Sequence, residues 1–220
     1  MLQEPIRNAF APYHALAAAL LPNISDTGDG SHDVAHIIRV WKNTQMIQAS
    51  EGGDLTVLAA ACLLHDCVAV EKNAPSRSQA SRLAAARATE LLQDLNWESE
   101  AIEAVRHAIE AHSFSAGIRP ATLEARILQD ADRLDAIGAL GIARCFYTGG
   151  RMGSSLYDVA DPHAKSRSLD DSRHVLDHFY AKLFHLASGF QTGTGARLAR
   201  TREDRMRRFV EEFWQEAGIQ

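Results

Sequence analysis

The sequence predicts an all-α fold, and three observations support that prediction. Helix-forming residues such as alanine, leucine, arginine and glutamate are frequent along the 220-residue chain. Apolar residues recur at intervals of three to four positions, whereas few stretches alternate with a period of two. No internal repeat or linker marks a domain boundary, so we expect one helical domain over residues 1–220.

The first part of the chain contains three predicted helices. The first lies within residues 5–20, where Pro12 either kinks it or marks its true first turn, and the turn-rich loop Ser25–Gly30 follows it. The second helix begins after this loop and continues to about Ser50, where two glycines end it. Asp54 is placed to cap a third helix that runs through Leu64.

The remaining helices are interrupted by one long irregular segment near residues 148–169, rich in glycine, aspartate and proline. Such a length is uncommon for a loop, so a lid or binding loop and a disordered surface insertion both remain open. The predicted helices are 78–95, 98–112, 122–146, 171–187 and 194–216.

Composition excludes several classes of protein. A net charge of −5 gives no strong electrostatic footprint for nucleic acid. No run approaches the ~18 apolar residues of a membrane span, so we expect no membrane partner. The three cysteines, Cys62, Cys67 and Cys145, match no zinc-binding pattern and are typical of reduced thiols in a cytoplasmic protein.

His65 and Asp66 end the apolar run that begins at Val57. The helix is apolar almost all round, which predicts that it is buried. A buried carboxylate is costly unless it is paired or binds a metal. Adjacent helical residues point ~100° apart, so both can reach one ion only where the helix ends. The alternative is a surface His-Asp pair at a helix terminus.

His36 lies on the same helical stripe as Val40 and Ile47, which is the side expected to face the core. His32 lies one turn earlier on much the same face. A single core histidine is usually structural, but two imidazoles four residues apart can approach one site.

Aspartates are concentrated in the stretch Gln129–Ala136, where Asp132 and Asp135 share one helix face. Three carboxylates within six residues repel one another unless a cation lies between them. Arg133 is one candidate cation and a metal ion is another, while a solvated helix face remains the alternative. Two imidazoles and two carboxylates suit a divalent ion with open water positions better than a closed structural zinc site.

The local strings around these residues resemble the bacterial single-domain branch of the HD superfamily of metal-dependent phosphohydrolases, whose signature is an ordered H…HD…D set. The resemblance covers about residues 30–215 and implies a single HD-domain helical bundle. It carries the family's metal ligands onto His36, His65, Asp66 and Asp132. The strings that carry it are residues 31–41, 64–66, 111–115, 130–139 and 176–183.

The resemblance also implies a cofactor, one divalent metal ion, with Mn²⁺ as the first choice and Ni, Co, Mg, Fe or Zn as alternatives. Relatives with two metals supply a further histidine from the helix near residues 78–92, where this sequence has none. Relatives that cleave pyrophosphate bonds carry an acidic pair soon after the His-Asp pair. Here only Glu71 stands nearby, so that mechanism does not carry over directly.

Asp66 and Asp132 are predicted to hold the ion, and one of them to orient the attacking water. Helical phase separates two histidines of the 98–112 helix, because His112 lies at the edge of the apolar stripe and His107 nearly opposite. His112 is therefore a candidate general acid, substrate contact or extra ligand, and His107 a surface residue.

Lys72 and Arg77 follow the His-Asp pair and are candidates for phosphate contacts, with solvated surface charge as the alternative. Asp135 is a further candidate for substrate binding.

The resulting hypothesis is an enzyme that hydrolyses phosphate esters or anhydrides, with a small phosphorylated molecule, a nucleotide, as its partner. The alternative is a regulatory HD module that senses a nucleotide with little turnover. A metal-dependent oxygenase on the same scaffold would need more histidine ligands. A homodimer is compatible with the sequence, which does not determine the oligomeric state.

Overall fold

A computed structural model describes residues 3–24, 34–68, 79–113 and 116–219, and within these ranges it contains helices and no strand. The all-α prediction is confirmed. The α-helices in these ranges are α1 (Gln3–Ala9), α2 (His14–Leu20), α3 (Val34–Glu51), α4 (Leu55–Leu64), α5 (Ala80–Asp94), α6 (Ser99–His112), α7 (Leu123–Asp135), α8 (Gly138–Met152), α9 (Phe184–Leu186) and α10 (Gly193–Glu216).

The chain divides into two compact units, Met1–Asp132 and Arg133–Gln220. The first contains α1–α6 and most of α7, and the second contains α8–α10. The expectation of one domain over residues 1–220 stays a prediction. No described helix combines the length and the apolar character that crossing a bilayer requires.

Helix α4 forms the core of the first unit. Every side chain from Val57 to Leu64 is at most 6% exposed, and α2, α3, α5 and α6 all contact this helix. Asp54 caps it as predicted, because its Oδ1 accepts hydrogen bonds from the backbone of Thr56 at 2.7 Å and Val57 at 3.3 Å. The absence of a polar face on this helix is therefore explained by burial on all sides.

The predicted helix over residues 5–20 is two helices, α1 and α2, separated around Pro12. Proline has no N–H to donate, so an α-helix cannot continue through it without losing a hydrogen bond. The turn between them packs on α3 through Trp41, whose ring stacks on Phe10 at 4.8 Å and meets Tyr13 edge-on at 6.0 Å.

The predicted helix over residues 122–146 is also wrong, because α7 ends at Asp135 and α8 begins at Gly138. Gly138 has a φ of +77°, which side chains other than glycine rarely adopt. A Cβ at Gly141 would lie 2.4 Å from the carbonyl oxygen of Ala136. The tight turn between the two helices therefore depends on glycine at both positions.

The irregular segment begins at Gly153, later than predicted, because α8 continues to Met152. It also extends further. Turns replace the first part of the predicted 171–187 helix, and a π-helix over Phe179–Leu183 leads into α9. Hydrogen bonds between residues of the segment hold it in one conformation, which argues against a disordered insertion. The lid interpretation stays a prediction.

Helix α10 packs along α8 in the second unit. Aromatic rings form the contact, with Phe146 5.7 Å from Phe209 and 6.4 Å from Phe213. Phe179 of the π-helix joins this cluster at 6.0 Å from Phe209.

Candidate metal centre

Five of the predicted site residues come together in the first unit. They are contributed by α3, by the end of α4 and the turn that follows it, by α6 and by α7. These residues are His36, His65, Asp66, His112 and Asp132.

The end of α4 explains how two adjacent residues serve one site. The helix ends at Leu64, so His65 is its C-cap and Asp66 lies in the turn beyond. Inside a helix the two side chains would diverge by ~100°. Here both approach His36, since His65 Nε2 lies 3.2 Å and Asp66 Oδ2 lies 3.9 Å from His36 Nε2. The alternative of a surface pair is wrong for His65, which is 1% exposed.

Hydrogen bonding fixes the tautomer of His65. Its Nδ1 lies 2.9 Å from the carbonyl oxygen of Cys62, which can only accept, so Nδ1 carries the proton. Burial lowers the pKa of His65 and outweighs the opposite influence of Asp66. His65 is therefore a neutral imidazole whose Nε2 lone pair faces His36, the form in which histidine binds metals.

The carboxylates lie just beyond hydrogen-bond distance of the imidazoles. Asp132 Oδ1 is 3.4 Å from His36 Nε2, and Asp66 Oδ2 is 3.6 Å from His65 Nε2. One donor atom each from His36, His65 and Asp132 lies within 4.8 Å of the other two. Ligand atoms bound at 2.0–2.2 Å to one ion are typically separated by ~3–4 Å. The spacing and the donor chemistry both suit a divalent ion.

The donor set found among the described residues contains no sulfur ligand. Burial raises the pKa of the Cys62 thiol to about 12, and the charge of Asp132 acts in the same direction. Its Sγ instead lies 3.1 Å from Thr44 Oγ1. Nitrogen and oxygen donors without sulfur are compatible with Mn, Fe, Co, Ni, Mg or Zn, so they do not select one metal.

The two histidines of α6 differ as their helical phase predicts. His112 is 5% exposed, and its Nδ1 donates to the carbonyl of Ile109 at 2.6 Å. Its Nε2 lies 3.7 Å from Asp66 Oδ1. His107 is half-buried, and its Nε2 accepts a hydrogen bond from the backbone of Ala121 at 3.0 Å. Only His112 faces the centre.

The predicted substrate contacts have different outcomes. Lys72 and Arg77 lie outside the described residues. Asp135 belongs to the second unit, where its fully buried carboxylate accepts a hydrogen bond from Arg144 at 3.0 Å. Contact between Asp135 and a substrate would therefore require this pair to open. Arg133, the candidate cation, donates to the carbonyl of Gly189 at 2.5 Å.

Two buried amide side chains beside the centre were not predicted. Asn43 Nδ2 donates to the carbonyl of Ala131 at 2.9 Å, and Gln129 Nε2 donates to the carbonyl of Ala111 at 2.6 Å. For Asn43 a signal existed, because it continues the apolar stripe of His36. A polar residue on a core-facing stripe indicates a specific hydrogen bond.

Comparison with protein families relates this chain to known hydrolases. The model of the HD domain matches residues 34–137, which include all five residues of the centre. The Bacillus subtilis protein YpgQ is 32% identical over 194 residues, covering 86% of each chain.

Solved structures agree with this relationship. An HD-superfamily hydrolase from Bacillus thuringiensis has a TM-score of 0.70 at 30% identity, with complete coverage of both chains. The structure of Bacillus subtilis YpgQ in complex with ADP has a TM-score of 0.69 at 27% identity, covering 98% of this chain and 97% of YpgQ.

Proposed function

The chain belongs to the HD superfamily of hydrolases, and from that premise we propose that it is a metal-dependent phosphohydrolase that cleaves phosphate ester or anhydride bonds of nucleotides. One observation carries the proposal. The lone pair of His65 Nε2 faces His36 Nε2 at 3.2 Å while Asp132 Oδ1 lies 3.4 Å from the same atom of His36. Two imidazole nitrogens and an anionic oxygen that converge in a buried site match the donor set and the spacing that a divalent ion binds.

His36, His65, Asp66 and Asp132 would hold one divalent ion, with Mn²⁺ as the first choice. When bound, a divalent ion supplies Lewis acidity toward phosphate oxygens and makes water a stronger acid. Asp66 has room for a second role, because its side chain is 39% exposed and the two histidines are nearly inaccessible. Its Oδ2 faces the imidazoles of His36 and His65, its Oδ1 lies 3.7 Å from His112 Nε2, and we propose that this carboxylate also orients the attacking water.

His112 is proposed as the residue that exchanges a proton with the reacting groups. Its Nδ1 proton is held by the carbonyl of Ile109, so proton exchange takes place at Nε2. That atom is 3.7 Å from Asp66 Oδ1, and the carboxylate would orient the ring. His112 could then protonate the leaving oxygen.

A nucleotide is the proposed substrate class because the similar protein YpgQ has been crystallised with ADP. Phosphate oxygens need positive charge from the protein in addition to the ion. Lys72, Arg77 and Asp135 remain the proposed substrate contacts. An aspartate can accept hydrogen bonds from ribose hydroxyls or a base, whereas the two cations suit phosphate.

The test is a metal-rescue hydrolysis screen. Chelated protein would be reloaded with Mn, Co, Ni, Mg, Fe or Zn and given nucleoside triphosphates, diphosphates and monophosphates, with a generic phosphomonoester for comparison. Products would be resolved so that release of phosphate and of pyrophosphate can be distinguished. We expect turnover that needs the metal, that is lost in Asp66→Ala and that persists in the matched control His107→Ala.

Two outcomes would contradict the proposal. Stoichiometric metal binding without turnover of any substrate would favour the alternative, a nucleotide-sensing module. Turnover that survives chelation or persists in Asp66→Ala would show that the hydrolysis comes from a different site or a contaminant.

A further inference from the structure

We infer that Asn43 and Gln129 are positioning residues, whose side-chain amides set the placement of Asp132 and His112; the inference rests on the proposed function. Each amide donates to the carbonyl of the residue immediately before one of these two site residues. Together they fasten the three helices that contribute His36, His112 and Asp132. We call this pair of hydrogen bonds the amide clasp.

Asn43 joins α3 to α7. It is 4% exposed and lies about two turns after His36 on the same face of α3. Its Nδ2 donates to the Ala131 carbonyl at 2.9 Å, and this carbonyl belongs to the peptide that leads into Asp132. The bond therefore constrains the distance between the helix of His36 and the backbone of Asp132, whose side chains approach to 3.4 Å.

Gln129 joins α7 to α6. It is 3% exposed and lies about one turn before Asp132. Its Nε2 donates to the Ala111 carbonyl at 2.6 Å. Ala111 is in the last turn of α6, where carbonyls have no partner within the helix. The amide therefore supplies the missing donor and fixes the turn that carries His112.

The orientation of the Gln129 amide follows from this contact alone. No hydrogen-bond partner for its buried Oε1 occurs among the described residues. A flipped amide would bring two oxygens together at this distance, so the nitrogen must face Ala111. The donor function of the side chain is thus the property to remove in a test.

The two halves of the clasp predict different defects. Asp132 is a proposed ligand, so loss of the Asn43 donor should weaken metal binding. His112 is a proposed proton-exchange group, so loss of the Gln129 donor should lower kcat and leave metal affinity unchanged. A general loss of packing would affect both quantities in both variants.

The test uses full-length Asn43→Leu and Gln129→Met, which keep side-chain volume and remove the donor. Gln48→Met is the matched control, because Gln48 Nε2 donates to the carbonyl of Gly53 at 3.1 Å, near the far end of α3 from His36.

Chelated protein is titrated with Mn²⁺ and free Mn²⁺ is measured by electron paramagnetic resonance. Asn43→Leu should raise the Mn²⁺ Kd about 10-fold, as is typical when a group supporting a metal ligand is removed. Gln129→Met and Gln48→Met should change it less than about twofold.

Steady-state kinetics at saturating Mn²⁺ should show kcat about 10-fold lower in Gln129→Met, with KM unchanged. The loss should disappear when the same substitution is made in His112→Ala, because the residue acts through His112. A further measurement needs no turnover. The His112 ring resonances, assigned with His112→Ala, should move in Gln129→Met while those of His107 stay in place.

Several results would overturn the inference. An unchanged Mn²⁺ Kd in Asn43→Leu, an undiminished effect of Gln129→Met in His112→Ala, or unmoved His112 resonances would each do so. If wild-type protein turns over no substrate, the proposed function fails, and Mn²⁺ affinity and the ring resonances still decide the clasp. If a variant does not fold, Asn43→Ser or Gln129→Ala takes its place, since each removes the same long-reach donor.

Discussion

Among the described residues, imidazole and carboxylate groups cluster in the metal centre and in the irregular segment between Gly153 and Phe179. In the segment the buried carboxylate of Asp177 is in direct contact with its partners. Arg167 binds both oxygens of Asp177 at 2.5 and 2.9 Å, and the backbone of Asp170 donates to the same carboxylate at 2.7 Å. In the metal centre the carboxylates stand 3.4 to 3.9 Å from the imidazole nitrogens.

This difference separates Asp177, a structural carboxylate, from the carboxylates that we propose as metal ligands. Arg167 and the Asp170 amide satisfy the Asp177 carboxylate directly. The other carboxylate of this group is less tightly held, since Arg167 Nε and His174 Nε2 lie 3.5 and 3.6 Å from Asp158 Oδ2. In the centre the carboxylates stand beyond ordinary hydrogen-bond distance of the imidazoles, and the two imidazole nitrogens, 3.2 Å apart, complete a donor set of the kind that a divalent ion binds. Composition alone would rank the two clusters alike, since both are rich in aspartate and histidine.

The largest expected effect is that of Asp132→Ala. We expect metal-dependent turnover to fall by about 10³-fold, because the substitution removes a proposed ligand that supports several kcal/mol of transition-state stabilisation. The thermal midpoint of the chelated protein should change by less than about 2 °C, since this carboxylate is partly exposed and its ion pair with His36 Nε2 is 3.4 Å long. Calorimetry of the chelated protein measures the thermal midpoint, and assays of the same samples after metal is added measure turnover. A much lower midpoint would mean that the centre is a structural cluster after all.

Next in size is the contrast between His112→Ala and His107→Ala on one helix. The first should lower kcat about 10²-fold, as expected for loss of a general acid or base. The second should leave kcat within about twofold, because His107 accepts a backbone hydrogen bond and faces away from the centre. Steady-state rates of the two variants under identical metal loading provide the comparison. Equal effects would remove His112 from the proposed mechanism.

Asp177→Asn should lower stability and leave metal binding unchanged, the reverse of what we expect for Asp132→Ala. Burial raises the pKa of Asp177. The hydrogen bonds from Arg167 and from the Asp170 amide lower this pKa by a larger amount, so it lies below its ordinary value. A depressed pKa means that the carboxylate stabilises the fold above its ordinary pKa and loses this effect as the pH falls below it. At neutral pH the substitution should lower the thermal midpoint by about 5 °C without changing Mn²⁺ affinity. If the midpoint stays constant, the segment is not held by this pair.

The smallest expected effect is that of Asp161→Asn in the same segment. Backbone hydrogen bonds from Ser166 and Lys165 lower the pKa of Asp161 to about 2, from an ordinary value of 3.8. The stability difference from wild type should therefore be present at pH 7 and should shrink as the pH falls from about 4 to about 2. Urea unfolding at several pH values measures it. A difference that grows on acidification would contradict the assignment.

The metal centre was predictable because its residues break an apolar pattern. His65 and Asp66 follow eight buried apolar residues, and His36 shares a stripe with Val40 and Ile47. The amide clasp was not predicted, since an amide in a helix is also common on surfaces and its partner is a backbone carbonyl distant in sequence. Asp135 was grouped with Asp132 by helix face, yet burial and Arg144 give it a different environment.

The fold was predictable where caps and glycines agree with periodicity and not elsewhere. Asp54 correctly predicted where α4 begins, and the glycines after α3 correctly predicted where α3 ends. The apolar stripe of α7 continues in register through Gly138, so periodicity extended the helix across a turn that a positive φ creates. In the irregular segment the apolar spacing from Leu176 onward resembles a helix. Contacts of Asp177 with Arg167 hold the preceding residues in turns instead.

Burial of α4 on all sides has a consequence for how the centre can open. Amide hydrogens of such a helix exchange with solvent mainly when the whole unit unfolds, since no exposed edge permits local fraying. His65 is joined to this helix by its Nδ1 bond to Cys62, so it cannot leave the centre in a minor local excursion. We expect deuterium uptake along α4 to be the slowest in the first unit. Any opening of the centre that admits or releases an ion would then arise from motions of the surrounding helices.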